Sequence, residues 1–151
     1  MNVVSLTGKD TVIINGRILN DFADGDVAKL EYPNEIVTVK KGKNGNAIYA
    51  LNVAGEIVDF EIRVIRGGSD DQFLQGLLTP MQDNLPGFVL LTGELVKNAG
   101  DGQGNIIQDI YNLTGGVFTK KPGAKENVEG DVEQALVVYS MKFSDAQRTI
   151  G

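Results

Sequence analysis

Any chemistry in this chain would have to start from carboxylates and amines. Asp21, Asp24 and Asp26 fall in a turn around Gly25, and hard cations such as calcium take several oxygen ligands from a loop with a glycine at its bend. The spacing lacks the further ligands and the closing glutamate of an EF-hand. A solvated acidic turn is the stronger account of these three residues, and a calcium site the weaker one. The oxygen-rich stretch Asp101-Gly102-Gln103-Gly104-Asn105 is more simply a glycine-rich connection between strands. Histidine and cysteine are absent, which removes the commonest general base, the thiol nucleophile and the usual zinc and iron-sulfur ligands. Two carboxylates can hydrolyse a glycoside when they flank a cleft, but those of this chain lie in turns, in a charged loop or on alternating strand faces. No glycine-rich phosphate motif opens a helix. The expectation is a protein with no catalytic residue, cofactor or metal.

Lys40, Lys41 and Lys43 form a cationic cluster running into Asn44-Gly45-Asn46. Strand-forming residues flank it, and Asn-Gly is among the strongest short hairpin signals. Residues 37–51 are therefore predicted to be a long projecting hairpin with its lysines near the tip. Within residues 35–65 a third strand is expected to return beside it. No aromatic residue lies among the lysines to stack a base, and 14 basic against 20 acidic side chains leave a net charge of −6. That balance argues against a generic nucleic-acid binder, so contact with an acidic neighbouring subunit is the better use of the tip. From Asp59 to Val64 the sequence alternates with period two, which puts Phe60, Ile62 and Val64 inside. Asp59, Glu61 and Arg63 then lie on a solvated face or a subunit contact, where alternating charge sets register. Lys40, Lys41, Lys43, Asn44, Asn46, Asp59, Glu61 and Arg63 are the candidate contact residues.

The elements that must carry these residues are mostly strands. At 151 residues with 42% apolar content, residues 1–151 are expected to form one domain with its own core. No apolar run reaches the ~18 residues needed to cross a membrane. The N-terminus lacks the marks of a secretory signal, which predicts synthesis in the cytoplasm. Asn15-Gly16 between apolar runs predicts a first tight hairpin. Ser69 with Gln72 three residues on has capping-box spacing, Asp70 and Asp71 suit the helix dipole, and Phe73, Leu74, Leu77 and Leu78 form one stripe. A helix over residues 69–79, closed by Pro80, follows. Residues 88–96 read as a buried strand with a bulge at Gly93, and residues 106–113 and 117–120 as two strands joined at Gly115-Gly116. Residues 135–143 read as a central last strand and residues 144–151 as a peripheral tail. The fold class is mainly β: two packed antiparallel sheets forming a sandwich or partly closed barrel, one α-helix, and the projecting hairpin.

The hairpin around Ile14-Asn15-Gly16-Arg17, the Asp24-Gly25-Asp26 turn, the tip from Val39-Lys40 to Asn44-Gly45, the strand from Asp59 to Val64, the helix from Ser69, and the charged loop of residues 120–133 occur in an order that resembles the tail tube proteins of long-tailed bacteriophages, most nearly those with contractile tails. Tubes of phage-tail-like bacteriocins and of type VI secretion belong to the same fold. The resemblance implies a virion structural protein that forms hexameric rings, stacked into a tube whose channel conducts double-stranded DNA without specific binding. It implies ring-to-ring contact through residues 37–51 and 1–6, and sheath, baseplate and tail-terminator proteins as partners. The alternative class is a monomeric β-sandwich binding module. That reading needs an exposed aromatic platform, whereas tryptophan is absent and Tyr32, Tyr49, Tyr111 and Tyr139 are scattered through strands as core or interface residues are.

Overall fold

A computed structural model describes residues 4–6, 11–20, 22, 28–124 and 135–151 of the chain. The period-two segment forms β7 (Val58–Ile65), in which Val58, Phe60, Ile62 and Val64 are fully buried while Glu61 and Arg63 are exposed. On one side of it runs β10 (Leu136–Ile150), with Tyr139 opposite Ile62, and on the other β4 (Ala28–Glu31). Beyond β10 come β9 (Ile106–Ala124), β8 (Leu91–Gly100), β2 (Thr11–Ile14) and β3 (Arg17–Leu19), with β1 (Ser5–Leu6) also pairing β8. Every pairing in this eight-stranded sheet is antiparallel. Among the described residues a second antiparallel sheet consists of β5 (Val37–Lys41) and β6 (Ala47–Leu51). The described residues are thus mainly β with two antiparallel sheets and a single α-helix, as the sequence indicates. The sheet does not close into a barrel: among the described residues β3 and β4 each pair on one side only.

One core holds the large sheet and the helix together. Val12, Ile14, Leu91, Leu113, Tyr139 and Phe143 meet Leu74 and Leu78 of α1 (Ser69–Asp83) in a single cluster. Phe60 packs edge-on to Phe143 at 6.2 Å between ring centroids. Burying such side chains stabilises by about 1.5–3 kcal/mol each, so this cluster dominates the stability of the domain. The predicted hairpin turn at Asn15-Gly16 is present, with φ of 50° and 81° at the two positions.

Several elements differ from the sequence reading. β7 does not return beside β5 and β6 but pairs with β10 and β4, because its continuously apolar inner face belongs in the core. The helix passes through Pro80 and ends at Asp83. A proline costs the helix one donor and crowds the preceding turn, and here it stands one turn before the end on an exposed face. The N-cap is Gly68, one residue before Ser69, without a side-chain cap bond of its own, and the Asp71 carboxylate accepts from Gly67 N–H at 2.8 Å. β8 begins only at Leu91, and Val89 is 84% exposed instead of buried. Gly115-Gly116 is no turn. β9 is one strand through both glycines, whose missing side chains leave the space taken by Ser144 and the Phe143 ring. The tail is not peripheral, since β10 continues to Ile150 with Ala146 buried.

At one end the long strands outrun the core. Residues 106–112 of β9 and 147–150 of β10 contain no fully buried side chain, and Ile106 is 73% exposed. Arg148 donates to Asp109 there through Nε and Nη2, both at 2.8 Å, and its guanidinium lies 5.6 Å from the Tyr111 ring centre. The Arg148 hydrogen bond holds the Asp109 carboxyl below its ordinary range.

Candidate functional site

The arm made by β5 and β6 is fastened at its neck and uncovered above it. Asn52 N–H donates to the Ile36 carbonyl at 2.7 Å, Asn52 Nδ2 to the Glu35 carbonyl at 3.0 Å and Asn34 Nδ2 to the Ala54 carbonyl at 3.1 Å. Gly55 lies beneath this neck, where a Cβ would come within 2.8 Å of Ile36 Cα. Only glycine allows the short 3₁₀ turn (Val53–Glu56) to approach the strand so closely. Above the neck all ten residues of the two strands are exposed.

Register decides what the arm presents. Val37 pairs with Leu51, Val39 with Tyr49 and Lys41 with Ala47, and directly opposed residues share a face. One face is therefore apolar up to Lys41. The other carries Thr38, Ala50, Lys40 and Ile48, again by direct pairing. Val39 is 54% exposed, Tyr49 71% and Leu51 80%. At the tip Gly45 N–H donates to the Gly42 carbonyl at 3.1 Å and Gly42 N–H to the Asn46 carbonyl at 2.8 Å. Gly45 alone of the Asn44-Gly45 pair has positive φ, 79°, the pattern of a turn followed by a one-residue bulge.

The predicted contact residues fall on two surfaces. Lys40, Lys41, Lys43, Asn44 and Asn46 belong to the arm, whereas Asp59, Glu61 and Arg63 lie on the solvent face of β7 in the large sheet. There Asp59 receives Lys142 Nζ at 3.5 Å, and Lys29 Nζ reaches Glu31 at 3.7 Å. These side chains, with Glu61 and Lys120, border a shallow trough of about 300 Å³. Both signs alternate around it, so it suits a polar, charge-registered contact. The sequence reading missed the apolar half of the arm, because Tyr49 and Leu51 have the look of core residues until their strand proves to lack a core. It also missed a second opening of about 360 Å³ between α1 and the loop after it, lined by Gly76, Leu77, Pro80, Gly87, Phe88 and Val89 together with the amides Asn15 and Asn84.

Two carboxylates at the helix start are structural. Asp70, only 1% exposed, accepts from Asn20 N–H at 2.6 Å and Arg17 Nε–H at 3.2 Å. The Arg17 guanidinium also sits 5.1 Å from the Phe73 ring centre. Asp71 accepts from the Tyr139 hydroxyl, and burial followed by this acidic partner pushes the Tyr139 pKa well above that of free tyrosine. The Asp101 loop is the connection that the sequence suggests. Its carboxyl accepts from Asn105 Nδ2 at 2.7 Å and Gln103 N–H at 2.8 Å, and these bonds lower its pKa.

Among the described residues no group of three or more acidic side chains is placed to hold a metal. Asp21, Asp24 and Asp26 lie outside the described residues, as do residues 1–3 and most of the 120–133 loop. No described helix is long and apolar enough to cross a membrane. No protein-family model and no curated protein sequence matches the chain.

Proposed function

We propose that the protein is the subunit of a bacteriophage tail tube. It is a virion structural protein, not an enzyme, and forms hexameric rings stacked around a channel that passes double-stranded DNA into the host. The observation that carries this reading is the uncovered arm. A two-stranded hairpin is at best marginally stable alone in water, and this one displays Val39, Tyr49 and Leu51 on a single exposed face. Such a face is stable where another copy covers it. Two further features support self-assembly: the one-sided edges β3 and β4, which can extend a sheet from copy to copy, and the strand ends that outrun the core.

The order of hairpins, helix and charged loop, by its resemblance to tail tube proteins, supplies the ring and the channel. A net charge of −6 repels phosphate and keeps DNA from adhering in transit. Asp59 and Glu61 serve a second contact between copies through the charged trough, and Arg63 adds to it from the same solvent face of β7. Sheath, baseplate and tail-terminator proteins meet the outside and the ends of the tube. Synthesis is in the host cytoplasm and the final location is the virion tail. A tube in a phage-tail-like bacteriocin or a secretion device would use the same arm and differ only in cargo.

Negative-stain electron microscopy of the purified protein at high concentration tests this reading. Hollow tubes or six-fold rings are expected. A species that stays at the 16.2 kDa monomer mass in light scattering, with and without a tail-initiating complex, would overturn it.

A further inference from the structure

The arm needs a receiving surface, and the opening beside α1 has the matching chemistry. We propose that the apolar face of the arm of one copy seats in the groove between the C-terminal half of α1 and residues 84–90 of another copy. This inference rests on the self-assembly reading above and names the surface that completes it.

Four observations converge on the groove. First, Leu77, Phe88 and Val89 line it without any charged residue, and Leu85 and Leu90 beside them are 55% and 49% exposed. Second, Gly76 stands mid-helix on its exposed wall, although a Cβ there would meet nothing within 4 Å. Glycine is the least favourable helix residue after proline, and among the described residues no neighbour occupies the space of a Cβ there. A surface kept bare of side chains admits the close approach of another chain. Third, Pro80 lies one turn further on the same lining and has no N–H to give to the Gly76 carbonyl. Fourth, the charges are complementary. The arm holds Lys40, Lys41 and Lys43 and no acidic residue, while the groove lies at the partially negative end of a helix that finishes in Asp83 with no basic residue in its last turn.

Arm and groove are different patches, and in one chain the arm is exposed while the groove stands open. Their union between copies is therefore heterologous. Each copy gives one arm and receives one, which propagates from copy to copy and closes into a ring or continues as a stack.

The chain has no cysteine, so disulfide trapping is clean. Tyr49→Cys and Val89→Cys proteins are mixed under assembling conditions and oxidised. Thr38→Cys, on the opposite face of the arm, replaces Tyr49→Cys as the control. A disulfide forms only when Cα atoms come within about 7 Å. The expected product is a mixed dimer containing one of each variant, at least tenfold above the Thr38→Cys control. In parallel, Gly76→Gln fills the groove with a better helix former; its monomer should melt no lower than the wild type, while the concentration needed for assembly rises at least tenfold. Tubes that form without the mixed disulfide, or that tolerate Gly76→Gln, overturn the docking site and leave the tube reading standing. Arm-to-arm disulfides alone also overturn it. If the wild type forms no assemblies and the Tyr49→Cys and Val89→Cys pair forms no mixed dimers, both readings fall.

Discussion

Replacing Asp70 by alanine tests how the helix, and with it the wall of the groove, is held to the first hairpin. The carboxylate is 1% exposed and accepts from Asn20 N–H at 2.6 Å. A hydrogen bond to a charged group contributes about 1.5–3 kcal/mol. The second bond, from Arg17 at 3.2 Å, involves a side chain 41% exposed, which water can serve after the change, so it adds less than about 1 kcal/mol. Loss of a negative charge in the first helical turn adds about 0.3–1 kcal/mol. Asp70→Ala should therefore cost about 3 kcal/mol. For a domain of this size that lowers Tm by roughly 6–12 °C. Asp70→Asn keeps the volume and one acceptor oxygen, and should cost about half as much. Arg17→Ala should cost about 1 kcal/mol, part of it the contact with Phe73. Urea unfolding followed by far-ultraviolet circular dichroism, with an unchanged m-value, gives these differences directly. A cost for Asp70→Ala below about 1 kcal/mol, or a cost for Arg17→Ala equal to it, would refute the assignment of Asp70 as the buried tie.

Three further outcomes can be checked. Gly55→Ala forces a Cβ against the Ile36 backbone, a local overpacking of about 1–3 kcal/mol; limited proteolysis within residues 35–52 should quicken several-fold while the main melting transition stays within a few degrees, and unchanged cleavage would count against the neck. Reversing charge at Lys40, Lys41 and Lys43 touches exposed sites only, so the monomer should keep its stability within about 0.5 kcal/mol while tubes fail to grow; normal tubes in the microscope would remove the tip from the interface. The raised pKa of Tyr139 stabilises the fold fully below the unfolded tyrosine value of about 10, and this contribution is lost as pH rises beyond it toward the folded value. Urea midpoints at pH 9, 10 and 11 should thus fall more steeply for the wild type than for Tyr139→Phe, and parallel curves would show that the hydroxyl does not keep its proton in the fold.

What was legible in the sequence is what depends on neighbours along the chain. β7 shows its period, Asn15-Gly16 shows its turn, and the lysine-bounded tip shows the arm, because each is specified within a few residues. Other features depend on a distant partner. Gly115-Gly116 has the local grammar of a turn, yet the Phe143 ring and Ser144 on the next strand fill the space and keep β9 running. The polar tail becomes a strand because β9 offers an unpaired ladder for it. Asp70 stands in the first turn of the helix as its sequence indicates, whereas its burial follows from Arg17 and Asn20, at least fifty residues earlier. The candidate site divides in the same way. The lysines could be picked out by type, whereas the apolar face of the arm and the bare stretch at Gly76 emerge only when the fold leaves them uncovered.

The long strands also bear on how the protein would carry mechanical load. β9 is nineteen residues and β10 fifteen, and their pairing continues through Ile150 opposite Asp109 to mutual bonds between Gly151 and Gln108. At about 3.3 Å per residue, β9 drawn straight would reach roughly 60 Å. Tension along these strands loads many ladder hydrogen bonds in shear at once, whereas tension across them would open the bonds one at a time. The domain pulled lengthwise is therefore stiff and breaks late, and under the proposed assembly the direction of its long strands is the one in which load is borne with least risk of unravelling.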